Sequence, residues 1–133
     1  MVPNEKLLGS SAPFFSWKAR LKSFVYAWEG ILSFFRWEHN AQIHLVITSL
    51  VLVLSATLGL TKWEAIAVVF SVGFVWITEM FNTAIEKTMN FISTQKSPEI
   101  KIIKDISAGA VLIASITAVI VGCLIFIPKL IDL

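Results

Sequence analysis

The chain has 133 residues, of which 56% are hydrophobic and 15% charged, and it carries a formal net charge of +2. That length suits one domain, but the balance excludes an ordinary soluble globule. So small a positive charge gives no footing for a nucleic-acid partner, and the single Cys123, set in an apolar run, excludes a disulfide framework.

Residues 1–13 contain Pro3, Gly9, Ser10, Ser11 and Pro13 and read as a flexible lead-in without the apolar core of a signal peptide. From about 14 to 38 the pattern becomes helical. Leu21, Phe24, Val25, Trp28, Leu32 and Phe35 recur at helical spacing, with Lys18, Lys22, Glu29 and Arg36 largely between them. This predicts an amphipathic helix in the membrane interface, aromatic side towards lipid and basic side towards headgroups. Packing on a partner protein is the other use of such a helix.

Three apolar stretches follow, at about 43–60, 65–90 and 105–128, running about 27, 39 and 36 Å at about 1.5 Å per residue against a hydrocarbon core of about 30 Å, within the range of membrane-spanning helices. The fold class is therefore all-α integral membrane, three transmembrane helices preceded by an interfacial one. Thr61-Lys62-Trp63-Glu64 reads as a tight polar connection with a Trp at the interface. The stretch from Ser93 to Pro98 should break the helix before the third span, which Pro128 and Lys129 should close. Ser107, Ala108, Gly109, Ala110 and Ala114 suit close helix packing in that span. His44 and Trp76 read as structural, Trp76 packing on a neighbouring helix.

Cations concentrate in the segment up to Gln42 and in the 87–104 loop, whereas the other connection has Lys62 and the tail Lys129. The positive-inside rule puts the N-terminus and the 87–104 loop in the cytoplasm.

One stretch breaks the apolar pattern. Glu79, Asn82, Glu86 and Asn90 continue the second span and fall within a sector of about 80° on a helix. Polar and ionisable groups there are expensive, and they point to a site rather than to lipid. Counted from Trp63, Glu79 lies about 24 Å along the helix and Glu86 about 35 Å, so the acids straddle the bilayer boundary. Asp105 returns to that level. A proton or cation channel would more naturally place its acid near the midplane. A boundary site suits a reaction between a water-soluble molecule and a lipid headgroup. One carboxylate can hold a hard divalent cation such as Mg²⁺, another can take a proton from an attacking hydroxyl, and Lys104 supplies charge for phosphate. These are the parts phosphoryl transfer needs, although no GxxxxGK[ST] or Gly-rich kinase loop is present.

The motif Glu79-x-x-Asn82-Thr83-Ala84-Ile85-Glu86, followed by Lys104-Asp105-x-x-x-Gly109-Ala110, resembles the small bacterial diacylglycerol kinase and undecaprenol kinase family. The likeness covers about residues 16–130, and the closing Ile125 to Leu130 is more similar to the undecaprenol kinase branch. It implies a homotrimeric kinase of the bacterial inner membrane, with sites between subunits. ATP and Mg²⁺ would serve to phosphorylate a lipid alcohol, undecaprenol ahead of diacylglycerol, at the cytoplasmic surface.

By that resemblance Glu79 is the general base and Asn82 a polar residue beside it. Glu86 is a ligand of metal and ATP phosphate, Lys104 the phosphate-contacting lysine, and Asp105 the acid that fixes that lysine or the nucleotide. Tyr26 and Trp28 match a Tyr-x-Trp near the nucleotide. Three positions depart from the family pattern. Ser33 stands where many members have a metal-holding glutamate, for which Glu29, one turn earlier, is the candidate substitute. Asn90 replaces an aspartate, and Ala19 an arginine. An ion- or proton-coupled membrane protein and a catalytically impaired homologue with an assembly role remain the alternatives.

Overall fold

A run of aliphatic and aromatic side chains in a medium without water forces the backbone to satisfy its own hydrogen bonds, and an unbroken helix does this within one segment. The computed structural model describes residues 16–93, 95 and 97–132, so the lead-in expected at 1–13 lies outside the described residues. The described residues form four helices and no strand: α1 (Trp17–Trp37), α2 (His39–Thr57), α3 (Lys62–Ile92) and α4 (Pro98–Ile131). The last three are long and apolar enough to cross a membrane. At 31 and 34 residues, α3 and α4 run about 46 and 51 Å, well beyond a core of about 30 Å, so their ends reach past it.

The chain divides between Arg36 and Trp37 into two units. In the first, Trp17, Leu21, Phe24, Trp28 and Leu32 are all more than half exposed. They lie within a sector of about 80° on α1, as a helix lying on a membrane surface requires.

The second unit is an antiparallel bundle of α2, α3 and α4. Glu38 is extended ahead of α2, with φ −103° and ψ 118°, and its carboxylate meets Lys87 at 2.7 Å, tying the start of α2 to the far end of α3. Deeper in, the Trp76 indole N–H donates to Thr48 Oγ1 at 3.1 Å, and the His44 ring stands edge-on to Trp76 with centroids 6.1 Å apart. Both residues thus have the structural roles expected of them.

Helix boundaries differ from the expected ones where local chemistry overrides the hydrophobic pattern. Thr61 and Glu64 are a capping box rather than a connection: Thr61 Oγ1 accepts from the Glu64 N–H at 3.4 Å, and Glu64 Oε2 accepts from the Thr61 N–H at 2.7 Å. The turn itself is at Leu58 to Leu60, where Gly59 takes φ +60°, a left-handed conformation that glycine adopts without steric cost. The α4 helix starts at Pro98, seven residues ahead of the expected span, because proline is pre-shaped for the first helical turn and has no N–H to leave unpaired. Nor does Pro128 close it. The helix runs on to Ile131, and the Asp132 N–H bonds back to the Pro128 carbonyl at 3.1 Å.

The interface between α3 and α4 is made of small and β-branched residues. Val68, Val75, Ala114 and Phe126 are buried, and Ala114 is 1% exposed. Of the small residues expected to pack, Ser107 and Ala114 are buried while Ala108 and Ala110 are exposed, because only one stripe of α4 faces α3. Lys129 pairs with Glu64 at 3.2 Å and holds the outer end of this hairpin.

Candidate functional site

The buried face of α3 changes character along its length. Val68 and Val75 occupy it first; one turn on, the same face carries Glu79, Asn82 and Thr83, all buried. Glu79 is 2% exposed and is the largest side chain to be so fully enclosed. No hydrogen bond or ion pair to its carboxylate occurs among the described residues. A largely buried acid without a bonded partner costs stability, which makes Glu79 a candidate functional position; among the described residues no wholly buried side-chain polar atom lacks a partner, so its carboxylate oxygens keep a small opening.

Asn82 joins the two helices. Its Oδ1 accepts a bond from the Ser107 hydroxyl of α4 at 2.6 Å, while its Nδ2 faces Glu86 Oε1 at 3.4 Å, at the long end of hydrogen bonding. Glu86 is half-buried, and its second oxygen, Oε2, has no hydrogen-bond partner among the described residues. That oxygen fits a hard cation that takes most of its shell from phosphate and water. Among the described residues no group of three or more His, Cys, Asp or Glu side chains could hold a metal by itself, so Glu86 fits as one ligand rather than as part of a protein cage.

Further along, the Lys104 ammonium donates to Asn90 Oδ1 at 2.8 Å. Asn90 therefore positions Lys104 across the hairpin without cancelling its charge, which an aspartate there would do. The two residues line an open cavity of about 850 Å³ at the α3–α4 loop, together with Ser97, Lys101 and Asp105. Asp105 pairs with Lys101, one turn before it on α4. It does not hold Lys104, its chain neighbour, because adjacent helical residues point about 100° apart. A separate apolar groove of about 360 Å³ lies between α2, α3 and α4, and Val75, one turn from Glu79, is among its lining residues.

Tyr26, Trp28 and Glu29 belong to α1, and all three are exposed. Helix geometry separates them: Tyr26, Glu29 and Ser33 fall within about 60° of one another, whereas Trp28 is about 160° from Tyr26 and inside the apolar stripe. On α1, Tyr26 shares the face of Glu29, and Trp28 shares that of the exposed apolar stripe.

The expected residues Glu79, Asn82 and Glu86 share one face of α3, and Lys104 comes to the same hairpin end through Asn90. Sequence reasoning missed Ser107, taken there as a packing residue. The available signal was its place one turn after Lys104 on the side of α4 that must face α3.

Residues 25–126 match the family model described as Prokaryotic diacylglycerol kinase. The chain is 38% identical over 109 residues to the undecaprenol kinase of Bacillus subtilis, an alignment covering 82% of this chain and 89% of that protein. It is 39% identical over 115 residues to a diacylglycerol kinase of Synechocystis sp., covering 85% of this chain and 65% of the longer relative.

Proposed function

The chain belongs to the prokaryotic diacylglycerol kinase family and is an ATP-dependent lipid kinase of the membrane, and from that premise we propose that it phosphorylates undecaprenol at the cytoplasmic face. The observation that carries the site assignment is the unpartnered, enclosed Glu79 one turn before the Asn82–Glu86 pair. In this reading Glu79 takes the proton of the lipid hydroxyl. The lipid oxygen forms a bond to the γ-phosphorus, the bond from that phosphorus to the β–γ bridging oxygen breaks, and ADP leaves. Catalysis then rests on positioning and charge, as phosphoryl transfer requires.

Asn82 orients the reacting groups, Glu86 would hold Mg²⁺, and Lys104 leaves Asn90 for a phosphate oxygen. Asp105 bounds the nucleotide; for Tyr26, Trp28 and Glu29 on α1 the nucleotide and metal roles rest on the family resemblance alone. When bound, Mg²⁺ supplies charge neutralisation of the phosphates.

Three lines support the finer reading. The relative named undecaprenol kinase aligns over 89% of its own length. Lysines 87, 101 and 104 flank the α3–α4 loop end, which favours a cytoplasmic location in a bacterial inner membrane. The apolar groove beside Glu79 offers a seat for part of a long chain. A homotrimer, with sites between subunits, accords with the wide exposed apolar faces of the spans, where Val69, Phe70 and Phe74 are more than half exposed.

The test is a panel of undecaprenol, diacylglycerol and ceramide, presented in detergent micelles with labelled ATP. Undecaprenol should show the highest kcat/KM. A preference for diacylglycerol overturns the proposed acceptor, and unchanged turnover in both Glu79→Gln and Glu86→Gln overturns the residue roles.

A further inference from the structure

Ser107 stands at the one place where α4 reaches into the polar end of α3's buried face. It is 8% exposed, and Asn82, its partner, is 6% exposed. The hydroxyl lies 2.6 Å from Asn82 Oδ1 and 2.9 Å from the backbone carbonyl oxygen of Lys104. A serine hydroxyl has one proton, so it donates fully to one of these acceptors at a time. The shorter contact goes to Asn82.

We propose that Ser107 is a positioning residue that sets which end of the Asn82 amide faces Glu86. With the proton on the Asn82 side, Asn82 Oδ1 is engaged and Nδ2 is turned to the Glu86 carboxylate, where it supplies partial positive charge. With the proton swung to the Lys104 carbonyl, Ser107 Oγ becomes an acceptor. The amide then reverses to donate Nδ2 to it, and Asn82 Oδ1 comes beside the Glu86 oxygens. The first arrangement quiets Glu86; the second presents an amide oxygen and a carboxylate together, the donor set a hard cation prefers. Rotating one hydroxyl thus changes what the buried Asn82 offers beside Glu86 from a donor to an acceptor. The contact also ties Asn82 to the backbone of Lys104, so both halves of the site respond to one side chain.

The inference rests on the kinase reading, in which Asn82 and Glu86 line the reacting groups, and the experiment separates the two. In the full-length protein in detergent, Ser107→Ala should lower kcat about tenfold and raise the Mg²⁺ concentration for half-maximal rate, with the lipid KM within about twofold. Mn²⁺ binding in the presence of a non-hydrolysable ATP analogue, read by electron paramagnetic resonance, should weaken by about the same factor. In an Asn82→Ala background the same change should have less than about a twofold effect, because the group it positions is gone. A merely structural serine would lower the melting temperature in both backgrounds without this dependence on Asn82.

Ser107→Thr keeps the hydroxyl and Ser107→Cys replaces it by a weak donor, so the threonine variant should retain activity that the cysteine variant loses. That pair carries the comparison if the alanine variant folds poorly. An active wild type with equal kcat and Mn²⁺ affinity in the cysteine and threonine variants overturns the inference. A wild type inactive on every lipid alcohol overturns instead the kinase reading on which it rests.

Discussion

The two ends of α3 present the same face to the same neighbour and do opposite things with it. Towards its start the buried residues are Val68 and Val75, and Ala114 and Phe126 are buried on α4, with no polar atom among their side chains. The Trp76–Thr48 bond at 3.1 Å and the Glu64–Lys129 pair at 3.2 Å hold this end to α2 and α4. Towards its other end the face carries an unpartnered Glu79, then Asn82, bonded across to Ser107, and a Glu86 with an open oxygen. In a lipid environment the first end is held by van der Waals packing and a few polar ties. The second holds polar groups whose burial packing must offset. On the proposed site assignment, stability and chemistry are thus separated along one helix, and the stable end allows the costly one.

The sharpest way to break this contrast is Glu79→Gln. Replacing the enclosed carboxylate by an amide removes a buried acid with no partner, so the melting temperature in detergent should not fall and should rise modestly. Lipid phosphorylation should drop by at least about a hundredfold, the scale of losing a general base. Gain in stability together with loss of turnover is the signature of a group kept for function. A variant that loses both would show Glu79 to be part of the packing after all.

How much of this was legible in the sequence follows the same division. The polar stripe could be read directly, because Glu79, Asn82 and Glu86 interrupt an apolar run at helical spacing and nothing else in the chain does so as densely. The three spans were equally plain from length and hydropathy. The cross-helix contacts were not. Ser107 donates to Asn82, Asn90 holds Lys104, and Asp105 pairs with Lys101 because of the rotation of α4 about its own axis, which a motif on a line of sequence does not fix. The α4 helix outruns the expected span for a different reason. Hydropathy marks where lipid begins, whereas Pro98 and the lysines after it belong to a helix that continues into water. The Thr61-x-x-Glu64 capping box is itself a sequence signal, but its polar composition reads equally as a connection.

A middle-sized effect should come from the packed end. Ala114 is 1% exposed, and a larger side chain there has no room without moving α3 from α4. Ala114→Leu should destabilise the protein by about 1–3 kcal/mol, the usual cost of overpacking, seen as a lower melting temperature. The KM for ATP should stay within about twofold, because Ala114 lies two turns from Ser107, about 10 Å along α4. A large change in the ATP KM with an unchanged melting temperature would mean that the two ends are coupled more tightly than their chemistry implies.

The smallest expected effect tests the far extreme of the stable end. Thr61 and Glu64 satisfy each other's backbone N–H groups at the first turn of α3, and Glu64 also receives the Lys129 ammonium. Thr61→Ala removes the hydroxyl that caps the Glu64 N–H and should cost about 1 kcal/mol. Glu64 can still accept from the residue-61 N–H and from Lys129, so the helix start should fray rather than unwind. About 24 Å of helix separates the neighbouring Trp63 from Glu79, and no polar chain links the cap to the site. Lipid turnover per folded molecule should therefore equal that of the wild type, with the loss visible only in thermal or denaturant unfolding. Were kcat to fall as well, the apolar half of α3 would be transmitting strain to the carboxylate, and the separation between a holding end and a reacting end would not stand.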